Sequence, residues 1–142
     1  MITQRLITVF ASVCAVASAQ ENLTQEQVAF FENKIRPALV KYCYECHSEE
    51  TGKTRGGLLV DTRIGLLQGG DSGPSVVPGD LRESLLWEAV EWKTPDYEMP
   101  PKEKMPDNIV EDFRQWILMG APDPRIAKKV IVESTIDLEE GR

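Results

Sequence analysis

Apolar residues recur along this chain at helical spacing in several short stretches, and between them lie segments dense in glycine and proline. Thr24-Gln25-Glu26-Gln27 has the form of a capping box, with Thr24 as N-cap and Gln27 at the third helical position. Val28, Phe31 and Ile35 then fall on one helical face. Pro37 should end or kink that helix near Arg36 and can open a second one at its first turn, where a missing N–H costs nothing. The second helix is expected from Ala38 to about His47, carrying Leu39 and Tyr42. From Ser48 to Gly79 the periodicity gives way to loops, with glycines at 52, 56, 57, 65, 69, 70, 73 and 79. Within this stretch Leu58-Leu59-Val60-Asp61 reads as a short strand, and Thr62 as the cap of a short helix through Leu67. Gly69-Gly70-Asp71-Ser72-Gly73-Pro74 reads as a turn cluster; no Lys-Ser/Thr follows it, as a phosphate-binding loop would need. Asp80 is a good N-cap for a helix from about Leu81 to Trp92, with Leu81, Leu85 and the 90–92 region on its buried side. Asp107, after Pro106, is placed to open a last helix with Ile109, Phe113, Trp116 and Ile117 on one face, stopped by Gly120. The pattern predicts an all-α domain of several short helices with a loop-rich middle segment.

Candidate chemistry is concentrated in five positions, Cys43-Tyr44-Glu45-Cys46-His47. Cys-x-x-Cys-His is the attachment signature of a covalent c-type haem, in which two thiols take up the vinyl groups and the imidazole ligates the iron from the proximal side. His47 is the only histidine of the chain, and beyond residue 14 Cys43 and Cys46 are the only cysteines. The competing readings each want something that the sequence lacks. A structural zinc site needs four ligands, and no second Cys or His pair exists. A thioredoxin-like dithiol wants a βαβ setting, and a structural disulfide rarely joins cysteines so close together. With haem as part of its filling, a core built from such short helices becomes plausible.

Residues 1–19 read as a secretory signal: a short n-region with Arg5, an apolar run from Leu6 to Val16 and the small-residue site Ala17-Ser18-Ala19. The run is too short to span a bilayer comfortably, so no stable membrane span is expected. Cys14 lies inside it and would leave with it. Export agrees with the haem motif, because bacterial c-type haem is attached outside the cytoplasm, and the expected location is the periplasm or another extracytoplasmic space. Cleavage removes Arg5 and takes the formal charge from −7 to −8. That acidity disfavours nucleic acid and suits a redox protein partner with a basic docking face. It also serves plain solubility.

A proximal histidine normally donates its second ring nitrogen to a fixed acceptor, and a backbone carbonyl near Pro74 or Pro78 is the candidate. For the distal side, low-spin electron-transfer haems commonly take a methionine thioether, which raises the potential. Met99 stands in the proline-stiffened stretch Tyr97–Pro106 ahead of the last helix and is the first candidate. Met105 shares that loop and is the alternative. Met119, in the last turn of a helix, is expected in the core. Leu86, Trp87, Ala89 and Trp92 are candidates to close over the haem, with ordinary core packing as the default for each.

The run from Phe30 to Arg125 resembles the planctomycete-type cytochrome c domain, found near the N-terminus of large exported bacterial proteins. The matching residues are Phe30-Phe31-Glu32, Ile35-Arg36-Pro37, Cys43 to His47, Gly56-Gly57-Leu58 with Asp61-Thr62-Arg63, and Gly69 to Pro74. Val77-Pro78-Gly79-Asp80, Ser84-Leu85-Leu86, Met99-Pro100-Pro101 and Trp116-Ile117 with Gly120 to Arg125 complete the set. The resemblance implies a small class I-like cytochrome c fold over residues 20–125, one haem c attached at Cys43 and Cys46, proximal ligation by His47 and a distal role for Met99. Family members often carry leucine where this chain has Met105, which keeps the second methionine in play. Residues 126–142 read as a linker or tail, and in this family larger domains of the same polypeptide usually follow.

The function expected from these residues is single-electron transfer by an exported haem domain rather than substrate chemistry. The alternative is a haem domain with an open sixth position, acting in ligand binding or redox catalysis. A non-haem dithiol or metal module is the third reading.

Overall fold

The computed structural model describes residues 22–125, so the expected signal segment 1–19 and the tail 126–142 lie outside the described residues. Thr24 does begin the first helix, with Gln27 N–H donating to its Oγ1 at 3.2 Å and its own N–H donating to Gln27 Oε1 at 2.9 Å. Helix α1 (Gln25–Phe30) runs through a π-helical turn, Phe31–Ile35, directly into α2 (Arg36–Tyr42). Pro37 thus does not end the helical run, but it does stand in the first turn of α2, as expected. The π turn explains how: the Arg36 N–H reaches back to the Phe31 carbonyl, one residue further than in an α-helix, and the widened turn relieves the clash a proline ring makes with the preceding turn.

Helix α2 ends at Tyr42, five residues before the expected end, and Cys43–Cys46 form turns that close with Cys46 and His47 N–H groups on the Cys43 carbonyl at 3.1 and 3.0 Å. A short antiparallel pair follows, β1 (His47–Ser48) with β2 (Lys53–Thr54), His47 opposite Thr54. Leu58–Asp61 is not a strand; it is chain without a strand partner, in which the Val60 N–H donates to the His47 carbonyl at 2.9 Å and the Asp61 carboxylate accepts from the Glu49 N–H at 2.7 Å. Helix α3 (Arg63–Gln68) has the expected Thr62 cap, whose Oγ1 accepts from the Gly65 N–H at 3.0 Å. Gly69, with φ of +73°, begins the turn cluster, and a Cβ there would stand 1.8 Å from the Gly73 carbonyl oxygen.

Helix α4 (Leu85–Glu91) starts four residues later than the pattern suggested. Asp80 spends its carboxylate on the N–H groups of Arg82 and Glu83 in a local turn, and Ser84 takes the capping position instead. Helix α5 (Asp107–Leu118) begins as expected, with Asp107 as its first residue rather than its cap and Gly120 at φ +95° just past its end. The described chain is thus helix-rich, with one two-residue strand pair, as a small cytochrome-like α fold requires. No helix among the described residues is long and apolar enough to cross a membrane.

Helix α5 carries the core. Phe113, Trp116 and Ile117 are fully buried against Phe31, Ile35 and Leu39 of the first helical stretch. The Trp116 ring tilts against Phe31 at 6.0 Å and meets Phe113 edge-on at 6.4 Å, while its Nε1 donates to the Pro122 carbonyl at 2.8 Å. Met119 is not core: it caps the helix and is 38% exposed, because its turn faces outward past the last buried residue. Truncating Trp116 to alanine should cost about 3–5 kcal/mol, whereas Val40→Ala on the exposed face of α2 should stay within about 0.5 kcal/mol, both measured by denaturant titration of the mature protein.

Candidate cofactor site

The turn after α2 places Cys43, Cys46 and His47 on the border of a cavity of about 280 Å³. Helix α4 supplies Leu85, Leu86, Ala89 and Val90 to the same wall, and the proline-rich loop supplies both Met99 and Met105. Trp87 and Trp92, the other two candidate covers, do not line it; Trp87 packs on the core instead. Phe31 and Leu39 are likewise plain core. The loop-rich segment contributes its glycines: Gly56, Gly70 and Gly73 border the cavity. A Cβ on Gly70 would lie 2.1 Å from the Gly56 carbonyl oxygen, so the two loops can pack together only without side chains there.

The donor groups have the character that covalent haem attachment needs. Cys43 and Cys46 are free, half-buried thiols. Burial, with a smaller contribution from Cys46, pushes the Cys43 thiol up to about 12. A redox dithiol works through a thiolate of lowered pKa, and burial moves the Cys43 thiol the other way. Burial also holds His47 below the usual histidine range, outweighing the upward pull of the Arg55 and Leu58 carbonyls, and so favours the neutral imidazole that can bind a metal. Its Nδ1 is buried without a hydrogen-bond partner. The expected carbonyl near Pro74 or Pro78 is therefore not in place: the chain folds the Arg55–Leu58 segment against the imidazole, and neither of its carbonyls reaches bonding geometry at Nδ1. Among the described residues no group of three or more His, Cys, Asp or Glu side chains is arranged to hold a metal ion, which leaves a zinc site without ligands.

Two thiols, one imidazole and two thioethers thus border one largely apolar space, and Arg55 is the only charged lysine, arginine or acidic residue in its lining. These residues fit a covalently held haem, with Cys43 and Cys46 to attach it, His47 to ligate iron, and a methionine within the same wall. The arrangement is that of a cytochrome c-type domain. Residues 43–103 match the model of the family described as Planctomycete cytochrome C, which supports the resemblance carried by the sequence motifs. The family implies a haem c cofactor and, in general terms, haem-based electron transfer. No curated protein and no solved structure matches the chain.

Sequence reasoning passed over the groups that hold the motif in shape. Ser48 is fully buried, and its hydroxyl donates to the Tyr44 carbonyl at 2.9 Å; the Thr51 hydroxyl donates to the same oxygen at 3.0 Å. The Ser-x-x-Thr spacing after the motif was the available signal. Replacing Ser48 by alanine should cost about 1 kcal/mol, and combining it with Thr51→Val should cost more than the sum, because the Tyr44 carbonyl then loses both side-chain donors. A double-mutant cycle in denaturant measures this, and strict additivity would contradict it.

Proposed function

We propose that this protein is an exported, class I-like c-type cytochrome domain that passes single electrons through one haem c. Cys43 and Cys46 form the two thioether links, His47 is the proximal ligand, and Met99 is the distal ligand with Met105 as its alternative. The observation that carries the reading is the convergence of the Cys-x-x-Cys-His turn and both methionines on one apolar cavity. When bound, the haem supplies a one-electron ferric–ferrous couple. The polypeptide's own part is to exclude water with Leu85, Leu86 and Val90, to orient the imidazole, and to set the local dielectric.

The two methionines divide by burial. Met105 is 2% exposed and belongs to the core, whereas Met99 is 39% exposed and is not engaged in core packing. That difference favours Met99 as the residue whose sulfur is free for ligation. The acidic chain, made more negative by haem propionates, favours a redox partner with a basic face in the extracytoplasmic space. Larger domains of the same polypeptide fit as neighbours in the electron path.

Expression with bacterial haem-attachment machinery tests the reading: the denatured mass should exceed that of the polypeptide by one haem, and the reduced protein should show low-spin c-type bands. A mass equal to the amino acids alone would refute it, and high-spin bands that shift with carbon monoxide would move the function to the open-site alternative. Met99→Ala should abolish the sulfur-to-iron band near the red and lower the potential. Met105→Ala should keep the band while costing about 2–5 kcal/mol of stability. The reverse spectral pattern would assign ligation to Met105.

A further inference from the structure

Arg125, the last described residue, bonds the attachment motif from the far end of the fold. Arg125 has a side chain 7% exposed, and its partner Asp123 is 2% exposed. Arg125 Nε donates to Asp123 Oδ1 at 2.9 Å and Oδ2 at 3.1 Å, and Nη2 donates to Oδ2 at 2.6 Å. The remaining terminal nitrogen reaches across the fold: Nη1 donates to the Tyr44 hydroxyl at 3.1 Å and to the Val60 carbonyl at 2.8 Å. The guanidinium lies over the Phe31 ring, 4.9 Å from its centroid.

The two Nη1 contacts touch segments that fix His47. Tyr44 is inside the Cys-x-x-Cys-His turn, and its backbone carbonyl is already held by the Ser48 and Thr51 hydroxyls. Val60, whose carbonyl Arg125 holds, gives its N–H to the His47 carbonyl at 2.9 Å. An apolar pair of similar volume would fill this space at least as well, since burying an ion pair brings little stability of its own. What a guanidinium adds is direction: its rigid fork bonds a carboxylate, a phenol and a backbone carbonyl at once. Burial works against the Arg125 charge, but Asp123 and Tyr44 outweigh it and keep the group firmly protonated, so the fork holds at every ordinary pH.

We propose that Arg125 is a positioning residue for the proximal ligand: anchored by Asp123, it fixes Tyr44 and Val60, and through the Val60–His47 bond it sets where the imidazole stands. This rests on the reading of His47 as the proximal ligand. Sub-ångström freedom at that ligand changes the iron's surroundings, so releasing the fork changes the potential as well as the backbone.

The test is Arg125→Met, which keeps an apolar stem over Phe31, and Tyr44→Phe, which deletes only the phenolic hydroxyl; both are read in the haem-loaded protein. Exchange of the Val60 amide should rise by about tenfold or more relative to the Phe113 amide in α5, because the opening is local. The midpoint potential should move with it, and Tyr44→Phe should act in the same direction to a smaller extent. Equal acceleration at Val60 and Phe113 with an unchanged potential would overturn the proposal by making Arg125 a general stabiliser. Should Arg125→Met not accumulate, Tyr44→Phe decides on the same two readouts. The intact mass of each sample reports the haem separately: its absence refutes the functional reading, while the ratio of the two exchange rates still decides the role of Arg125.

Discussion

An apolar space that the polypeptide alone does not fill is the constraint on which the rest of this structure depends. The main helical elements of the described chain are few: one continuous run from Gln25 through the π turn to Tyr42, the short helices α3 and α4, and α5 with twelve residues; so few elements enclose little interior by themselves. The cavity of about 280 Å³ is lined mainly by apolar side chains, so a group seated in it would cover much of that surface. A group that fills it is therefore part of the fold as much as part of the function. On the proposed reading, attachment and ligation fall within five residues after α2 because the same short turn seats the group and gives it chemistry.

The sequence patterns that rest on local chemistry transferred well to the structure. The Thr24–Gln27 box, the Thr62 cap, the start of α5 at Asp107 and its stop at Gly120 each depend on hydrogen bonds or backbone freedom within a few residues. Features that depend on competition between neighbours did not. Pro37 reads as a break because the cost of a proline ring is local, but the π turn that absorbs it has no sequence mark. Asp80 and Ser84 are both capping residues, and only their mutual arrangement, with the Ser84 hydroxyl donating to the Asp80 carbonyl at 2.6 Å, decides which one caps. In the site, the cysteines, histidine and methionines were visible because rare residue types carry their chemistry in their identity. Arg125 and Asp123 stood only within the Gly120–Arg125 stretch of the family pattern, without a role, since nothing in a chain rich in charged residues marks an arginine that turns inward.

Two demands on the methionines are separated in space. A residue in the core is held by its contacts on every side, which fixes it but leaves its sulfur committed to packing. Met105 belongs to the core cluster and is 2% exposed, although it also borders the cavity. Met99 is carried by a loop in which Pro100 and Pro101 follow directly, so the chain rather than the packing limits its freedom. A thioether must be held near its position yet remain available to bond, and stiff chain with an uncommitted side chain meets both requirements.

The extent of the family match and the extent of the folded unit differ, and the core shows why. Residues 43–103 contain the attachment turn and Met99 but none of α1, α2 or α5. Phe31, Ile35 and Leu39 on one side, and Phe113, Trp116 and Ile117 on the other, form the fully buried centre on which the cavity wall rests. Beyond α5, Ala121 and Pro122 turn the chain back so that the Pro122 carbonyl accepts from Trp116, and Asp123 and Arg125 then tie this end to Tyr44 and Val60. The chain thus closes on itself: its last described residue bonds the motif that opens the matched segment. A segment cut to the matched residues would keep Cys43, Cys46, His47 and Met99, but it would lose Met105 and the core surfaces of α1, α2 and α5 on which the cavity wall rests.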